Sequence, residues 1–314
     1  MHWKTNFEAR RWASLFLQQH NREPLVADLL LQHLLKKNRA QMLASWHDAI
    51  SDTVGAEYER LIRSHALDGV PIQHMIGHTE FFGREFKVNK DVLIPRPETE
   101  ELIVETKKRL LSKNHFAKKV DGSGKHLERL NSGNKKELTR INSKLTGVDV
   151  GTGSGIIAIT LALECSNIKM TATDISEAAL IVAKDNASEL KADIEFCHGN
   201  LLEPLIESGQ KVDLVISNPP YIPESERELL SDVVVNHEPS LALFAEDNGL
   251  AIYKKLLEQI PFVIDGEALI AFEIGHDQGE TVPELIKNQF PDSNHEVVRD
   301  INGKDRMVFA WVSN

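Results

Sequence analysis

The chain has 314 residues, of which 41% are hydrophobic, and its formal net charge at pH 7 is −11. This length suits one large domain together with a smaller one. The negative charge disfavours a protein that simply coats nucleic acid, and no stretch approaches the roughly 20 apolar residues of a membrane span.

Two further features of the sequence concern the compartment. The cysteines, Cys165 and Cys197, are too few for a disulfide framework and lack the spacing of metal ligands. The N-terminal residues lack the apolar core of a signal peptide. We therefore expect a cytoplasmic protein with no membrane association and no metal site.

The first 70 residues predict helices. Apolar residues recur at helical spacing from Phe7 onward, through the leucine-rich stretch 25–35, and again over 42–50. Gly69 is a stop signal. We interpret residues 1–70 as a helical domain that recognises a macromolecular substrate, with a simple packing module as the alternative.

Residues 71–97 have a different composition, in which glycines separate short β-rich segments. This pattern predicts a β-hairpin that links two domains. Two prolines hold the end of the segment extended on either side of Arg96. Arg96 is therefore either a structural ion-pair partner or a wall of the active site. A helix should follow from Thr99 to about Leu111.

Residues 112–144 contain three glycines, many lysines and few large apolar residues, so we expect a basic, mobile insertion within a domain that spans 98–314. Residues 107–144 carry twelve Lys/Arg against three Asp/Glu, a balance of +9 that leaves the remainder at −20. A solvated linker is the favoured interpretation. A basic contact surface for RNA or for a ribosome-bound partner is the alternative.

From residue 145 onward, strands alternate with helices. The predicted strands are 145–150, 168–173, 194–197, 211–216 and 268–272, followed by a closing hairpin of 297–298 with 307–312. The predicted helices are 156–165, 176–190, 247–259 and 281–288. This alternation predicts an α/β fold with a doubly wound, mostly parallel sheet and an antiparallel end.

A glycine-rich turn, residues 151–155 with the sequence Gly-Thr-Gly-Ser-Gly, follows the first of these strands. Its glycines permit a tight turn and a close approach of the backbone to a ligand. Asp174 ends the next strand, where a carboxylate would accept hydrogen bonds from both hydroxyls of a ribose. A turn that only packs a helix on a strand, or a dinucleotide-binding domain, would also explain this pair.

The Asn-Pro-Pro-Tyr loop, residues 218–221, follows the strand predicted at 211–216. Its prolines end the strand and hold the backbone extended, which fixes the Asn218 amide at the carboxyl end of a strand. Ligands of open α/β sheets bind at such ends. A plain proline turn with Tyr221 as a packing residue is the alternative, whereas a dinucleotide-binding domain would leave the loop unexplained.

Asp149-Val-Gly-Thr-Gly-Ser-Gly, Asp174 and Asn218-Pro-Pro-Tyr together resemble a class I, Rossmann-like S-adenosylmethionine-dependent methyltransferase that acts on a planar nitrogen. Further stretches resemble the HemK/PrmC family: Pro71-Ile-Gln-His-Met-Ile-Gly, Glu80-Phe-Phe-Gly, Leu93-Ile-Pro-Arg-Pro-Glu-Thr-Glu, His237-Glu-Pro, Ala242-Leu-Phe, Phe272-Glu-Ile-Gly and Asp305-Arg. The resemblance covers nearly the whole chain except residues 112–144. It implies methylation of N5 of the Gly-Gly-Gln glutamine in peptide chain release factors 1 and 2, without direct nucleic-acid binding.

The resemblance also implies roles for individual residues. The Asn218 side-chain oxygen and the Pro219 carbonyl would accept the two N–H groups of the substrate amide, and Tyr221 would pack on it. Pro220 and Arg96 would complete the substrate site. The implied cofactor residues are Gly151, Thr152, Gly153, Ser154, Gly155, Asp174, Asn200, Leu201 and Asn218.

Two of these residues depart from the family's pattern. Asn200 stands where an acid commonly holds the amino group of adenine, and Leu201 stands where an aromatic ring covers it. An asparagine oxygen can still accept the hydrogen bond, although without charge. Neither change removes a reacting group.

Four alternatives remain open at this point. A ribosomal-protein glutamine methyltransferase would share the catalytic motifs, and a DNA adenine-N6 methyltransferase would share the Asn-Pro-Pro-Tyr loop. The second must flip a base and grip phosphates, which the charge of −20 outside the basic segment disfavours. A non-catalytic adaptor would be favoured by loss of Asn218, Pro219 or Tyr221, and all three are present. Redox chemistry on porphyrins lacks a flavin or haem signature.

Overall fold

The computed structural model describes residues 3–111 and 145–314, so the basic insertion expected at 112–144 lies outside the described residues. The described residues form two compact units. The first unit takes in Met1–Thr79, Lys87–Ile94 and Glu226–Ser240, and the second takes in Glu80–Phe86, Pro95–Ser225 and Leu241–Asn314. The division into residues 1–70, 71–97 and 98–314 stays a prediction.

The described helices and strands alternate along the second unit, and helices dominate the first. The helices are α1 (Asn6–Gln19), α2 (Leu25–Leu35), α3 (Arg39–Ala44), α4 (Asp52–Arg63), α5 (Ile72–Ile76), α6 (Pro97–Leu111), α7 (Ile156–Glu164), α8 (Glu177–Leu190), α9 (Glu203–Ser208), α10 (Asp232–His237), α11 (Ser240–Leu243), α12 (Ala251–Gln259) and α13 (Thr281–Gln289). The strands are β1 (His78–Phe81), β2 (Arg84–Lys87), β3 (Leu145–Val150), β4 (Ile168–Asp174), β5 (Ile194–His198), β6 (Leu214–Ser217), β7 (Ile222–Pro223), β8 (Phe244–Ala245), β9 (Glu267–Glu273), β10 (Asn294–Arg299) and β11 (Asp305–Ser313).

The predicted helical character of the N-terminal region is confirmed. Polar caps begin α1, α3 and α4, as when the Ser51 side chain accepts a hydrogen bond from the Val54 amide at the start of α4. The apolar faces of the helices bury Leu17, Leu30 and Tyr58 in one core. The Tyr58 hydroxyl, which would be costly to bury unpaired, donates to the Ala27 carbonyl at 2.8 Å.

The expectation of helical structure over the whole of residues 42–50 is wrong, because α3 ends at Ala44. The residues after α3 pair instead with the start of α1. The Phe7 amide donates to the Trp46 carbonyl at 2.9 Å, and the Asn6 side chain donates to the Ser45 carbonyl at 2.9 Å. These long-range hydrogen bonds compensate for the helical ones that the segment gives up.

Residues 226–240 belong to the first unit although they follow the Asn-Pro-Pro-Tyr loop in the chain. The Arg22 guanidinium holds both carboxylate oxygens of Asp232, at 2.7 and 2.5 Å. This pairing lowers the pKa of Asp232 to about 2. The Ile94 amide donates to Glu238 Oε2 at 3.0 Å. Two separate parts of the chain therefore bind this segment.

The second unit is organised on a seven-stranded sheet of order β10-β11-β9-β6-β3-β4-β5. Strands β9, β6, β3, β4 and β5 are parallel, and β10 and β11 add an antiparallel end. Large buried apolar clusters cover the sheet, one including Ile159 and Met170 and the other including Tyr253 and Phe272. The predicted doubly wound, Rossmann-like fold with an antiparallel end is confirmed.

Several predicted boundaries differ from the structure, and two of them lie next to the candidate site. The strand predicted at 211–216 is β6, Leu214–Ser217. The helix predicted from residue 247 begins only at Ala251, because Asp247, Asn248 and Gly249 all have positive φ and form a turn. Within the described ranges 3–111 and 145–314, the structure contains no helix long and apolar enough to cross a membrane.

Candidate active site

The glycine-rich turn connects β3 to α7. Gly151, Gly153 and Gly155 have φ values of 70°, 55° and 85°, a region that favours glycine. A Cβ added at Gly155 would lie 2.8 Å from Ile159 Cδ1, so this glycine allows α7 to pack on the turn. A Cβ at Gly151 or Gly153 would meet nothing within 4 Å. These two positions therefore leave space for a ligand beside the backbone.

The buried Asp149 side chain stabilises the glycine-rich turn by hydrogen bonds. Its Oδ2 accepts hydrogen bonds from the Thr152 hydroxyl at 2.6 Å and from the Ala158 amide at 3.1 Å. Complete burial raises the pKa of Asp149 to about 7. The Ser154 carbonyl accepts from the Asn186 side chain at 2.9 Å. Thr152 and Ser154 are thus engaged in holding the shape of the turn.

Asp174 lies at the carboxyl end of β4, directly beside the glycine-rich turn. Its Oδ2 accepts from the Gly153 amide and its Oδ1 accepts from the Ser176 amide, both at 2.9 Å. Burial raises the pKa of Asp174, while these backbone hydrogen bonds oppose the rise. Because each carboxylate oxygen has two acceptor positions, the group keeps capacity for further donors such as hydroxyls.

Asn200 and Leu201 follow β5, which is paired with β4. The Asn200 side chain donates to Glu203 Oε1 at 2.8 Å, which leaves the Asn200 oxygen as an acceptor. Leu201 has φ 54° and packs against the apolar cluster on one face of the sheet. Both residues lie at the same sheet edge as Asp174, where the parallel strands end.

The Asn-Pro-Pro-Tyr loop begins where β6 ends. The Ser217 hydroxyl donates to the Val150 carbonyl at 2.7 Å, which joins the residue before Asn218 to the residue before Gly151. β6 also pairs directly with β3. The glycine-rich turn, Asp174 and Asn218 are therefore brought together at the carboxyl ends of three neighbouring strands.

Asn218 contacts two residues that are distant in the sequence. Its Nδ2 donates to Thr99 Oγ1 at 3.3 Å, and its side chain also hydrogen bonds to Glu273. Thr99 Oγ1 in turn donates to Glu273 Oε2 at 2.7 Å. Burial raises the pKa of Glu273 to about 7. Three polar side chains thus form one buried network at the end of β6.

The rest of the loop is held by its backbone. The Tyr221 carbonyl accepts from Gln278 Nε2 at 3.2 Å. A Cβ added at Gly249 would lie 2.0 Å from that carbonyl oxygen, so only glycine fits there. The Tyr221 hydroxyl hydrogen bonds to Arg306, while burial and the Glu273 charge raise its pKa.

Arg96 lies just before α6, and its carbonyl accepts from the Thr99 amide at 3.1 Å. The charge of Arg96 makes a small contribution that opposes the burial-driven rise in the pKa of Tyr221. Both sequence interpretations of Arg96 therefore stay open, as a structural ion-pair partner and as a wall of the site.

The sequence analysis assigned no role to Thr99, Glu273, Gln278 or Arg306. Glu273 offered one signal, because it is an acid that directly follows the apolar residues 268–272 at the carboxyl end of a strand. Thr99 and Arg306 gave no signal of their own, apart from lying in the family motifs that begin at Leu93 and Asp305. In the described parts of the chain, no group of three or more His, Cys, Asp or Glu side chains could hold a metal ion.

Comparison with protein families matches two parts of the chain. Residues 127–237 match a family model described as the methyltransferase small domain. Residues 8–77 match a model described as the PrmC N-terminal domain.

Several curated proteins are similar over nearly the full length. A release factor glutamine methyltransferase of Bacillus anthracis is 45% identical over 306 residues, covering 98% of this chain and 99% of the relative. One from Bacillus subtilis (strain 168) is 43% identical over 309 residues, covering 98% of each. One from Staphylococcus aureus is 36% identical over 295 residues, covering 94% and 95%.

Among solved structures, a methyltransferase from Pyrococcus furiosus aligns with a TM-score of 0.48 at 14% identity, covering 82% of this chain and 98% of that chain. A ribosomal protein L11 methylase from Lactobacillus delbrueckii subsp. bulgaricus aligns with a TM-score of 0.42 at 19% identity, covering 70% and 80%.

Proposed function

The chain belongs to the release factor glutamine methyltransferase family, and on that premise we propose that it methylates N5 of the glutamine in the Gly-Gly-Gln motif of release factors 1 and 2. Family membership rests on the identity of 43–45% over nearly the whole chain, and it makes the chain an S-adenosylmethionine-dependent protein glutamine methyltransferase. The family resemblance found in the sequence is thereby confirmed. The assignment of roles to individual residues is our proposal.

The proposal rests mainly on the contact between the Asn-Pro-Pro-Tyr loop and the glycine-rich turn. The hydrogen bond from Ser217 to the Val150 carbonyl, 2.7 Å long, ties the start of the Asn-Pro-Pro-Tyr loop to the start of the glycine-rich turn. A residue able to hold an amide and a turn able to hold a nucleoside thus share one sheet edge. Two-substrate transfer needs this proximity.

The cofactor side of the site suits S-adenosylmethionine. Open space beside Gly151 and Gly153 would admit the ligand close to the backbone, and Asp174 would accept the ribose hydroxyls. The Asn200 oxygen would accept from the adenine amino group, and Leu201 would cover the ring. When bound, the cofactor supplies a methyl group activated by a sulfonium, so the reaction needs no metal.

The substrate side would hold the glutamine amide by both of its N–H groups. Asn218 Oδ1 would accept one and the Pro219 carbonyl the other, with Tyr221 packed on the flat amide and with Pro220 and Arg96 lining the site. Two such hydrogen bonds contribute about 1–3 kcal/mol, whereas a modest enzyme needs about 8 kcal/mol. Orientation of two bound reactants supplies ~7–11 kcal/mol, so positioning is the main effect.

The N-terminal match favours a release factor over a ribosomal protein as the substrate. Residues 8–77 match the PrmC N-terminal domain, and the relatives that share it over nearly full length are named for release factors. We propose that the helical residues 1–70 recognise the release factor. Because release factors act at the ribosome, we also propose a cytoplasmic location. The net charge of −11 supports our further proposal that the protein makes no direct contact with nucleic acid.

The test is methylation with labelled S-adenosylmethionine and purified release factor, followed by mass spectrometry of the Gly-Gly-Gln peptide. We expect a gain of one methyl group on the glutamine side chain. A release factor with Gln replaced by Ala in this motif serves as the matched control. Label on a ribosomal protein or on DNA, with none on the release factor, would contradict the proposal.

A further inference from the structure

The orientation of the Asn218 carboxamide is determined by two neighbours. A carboxamide has two N–H donors at one end and one acceptor oxygen at the other. The Asn218 nitrogen donates to Thr99 Oγ1 at 3.3 Å, and the side chain also hydrogen bonds to Glu273. The Thr99 proton is already committed to Glu273 Oε2 at 2.7 Å. The hydroxyl therefore offers Asn218 lone pairs only.

The opposite orientation of the carboxamide would be unfavourable. A flipped amide would direct Asn218 Oδ1 at the Glu273 carboxylate and at the Thr99 lone pairs, which are all acceptors. Glu273 is 1% exposed and Thr99 is 1% exposed, so water screens this repulsion little. The network consequently selects one of the two orientations.

We propose that Glu273 is a positioning residue whose carboxylate, together with Thr99, turns the Asn218 NH2 group inward and so presents Asn218 Oδ1 to the N–H of the substrate glutamine. This inference rests on the proposed function. Glu273 does not itself contact a reacting atom. It determines whether Asn218 presents its acceptor oxygen or its donor NH2 group to the substrate amide.

The charge of Glu273 depends on the groups around it. Complete burial, with a smaller contribution from Glu98 on α6, favours the protonated form and raises the pKa to about 7, while the hydrogen bond from Thr99 and the charge of Arg306 on β11 favour the ionised form. The Tyr221 hydroxyl and Tyr253 also face it, and Tyr253 donates to the Glu273 carbonyl at 2.7 Å. A protonated Glu273 carries both a donor and an acceptor, so it can donate to Asn218 Oδ1 or accept from Asn218 Nδ2 and no longer selects one orientation. The kcat should therefore fall as the pH drops through the pKa of Glu273.

The first experiment compares wild type with Glu273→Gln in the release factor assay from pH 5.5 to 8.5. The variant keeps the shape but allows both amide orientations. We expect kcat at pH 8 to fall at least tenfold, with the KM for S-adenosylmethionine within twofold of wild type and with the acidic decline of kcat lost. Glu267→Gln, at the other end of β9, is the matched control and should keep wild-type kcat.

A second comparison separates hydrogen bonding from packing. Thr99→Val removes the hydroxyl, whereas Thr99→Ser keeps it, so kcat of the serine variant should exceed that of the valine variant at least fivefold. The inference is overturned if Glu273→Gln keeps kcat within twofold of wild type, or if it retains the acidic decline. Equal kcat values for the two Thr99 variants would overturn it as well.

A measurement without release factor keeps this inference separate from the proposed function. In protein labelled with ¹⁵N at asparagine, the Asn218 NH2 protons should exchange with water at least fivefold faster in Glu273→Gln than in wild type. Equal exchange rates would contradict the inference even if wild type methylates release factors. Failure of wild type to methylate them would contradict the proposed function while leaving this result interpretable.

Discussion

The Asn218 side chain lies partly in the buried interior and partly in an accessible position. Its nitrogen end lies in a buried polar network with Thr99 and Glu273, whereas the residue as a whole is only partly buried. On the proposed function, a planar amide would meet the Asn218 oxygen rather than this nitrogen end. If Asn218 holds the substrate amide as proposed, a single substitution here should remove recognition while the sheet stays intact.

Asn218→Ala should lower kcat for release factor methylation at least a hundredfold, because orientation of the amide carries most of the proposed rate enhancement. Binding of S-adenosylhomocysteine, measured by calorimetry, should stay within about threefold. Asn302→Ala, in the exposed turn between β10 and β11, is the control and should behave as wild type. Wild-type turnover by Asn218→Ala would refute the proposed mechanism.

Asp174→Ala should weaken S-adenosylhomocysteine binding more than tenfold, which is about 1.4 kcal/mol. The substitution removes the acceptor proposed for the ribose and also the hydrogen bond that holds the Gly153 amide. Titration calorimetry measures the change, with Asp185→Ala on the exposed face of α8 as the control. Unchanged affinity of Asp174→Ala would rule out the proposed ribose contact.

Sequence reasoning reached some of these residues and not others for a physical reason. Asn218 and Asp174 are recognisable because a polar side chain at the carboxyl end of a strand marks the edge of the sheet where ligands bind. Glu273 and Thr99 contact each other across 174 positions of sequence. No local periodicity encodes a contact of that kind, so only the fold shows that the two residues share one network with Asn218.

At the scale of elements, the strands were more predictable than the turns. Strand β3 lies where the sequence predicts it, at Leu145–Val150. The start of α12 was misplaced because the turn before it depends on three successive positive φ values, which helical spacing does not reveal. That turn contains Gly249, the residue that lies against the Tyr221 carbonyl.

Gly249→Ala should destabilise the protein by several kcal/mol and disturb the Asn-Pro-Pro-Tyr loop, since the new Cβ would lie 2.0 Å from the Tyr221 carbonyl oxygen. Gly266→Ala provides a matched control, because Gly266 has the same φ of 81° but open space around the Cβ position. The control should lose only about 1–2 kcal/mol from backbone strain. Urea unfolding compares the two, and equal losses would contradict this reading of the contact.

At the scale of the whole molecule, two buried acids should make stability depend on pH. The pKa values of Asp149 and Glu273 are raised by burial from 3.8 and 4.5 to about 7. The folded state therefore binds these protons more tightly than the unfolded state does. The stabilisation that they give is complete below about pH 4 and is lost as the pH rises to about 7.

The combined variant Asp149→Asn/Glu273→Gln should accordingly show a smaller fall in the free energy of unfolding between pH 5 and pH 8 than wild type. The difference should be on the order of a few kcal/mol, because each unit of pKa shift corresponds to about 1.4 kcal/mol. Urea unfolding without cofactor measures it. Identical pH dependence in the two proteins would show that neither acid is protonated in the fold.

Residues 226–240 belong to the first unit although most of that unit lies near the N-terminus, and this limits how the protein can be recombined with its homologues. The chain passes from the second unit to the first only a few residues after Tyr221, and it returns after residue 240. Neither unit is a contiguous piece of the gene. A chimaera that exchanges only the N-terminal helices would pair Arg22 and Asp232 from different parents. If the first unit recognises the release factor as proposed, we expect specificity to transfer between homologues only when both gene segments are exchanged together.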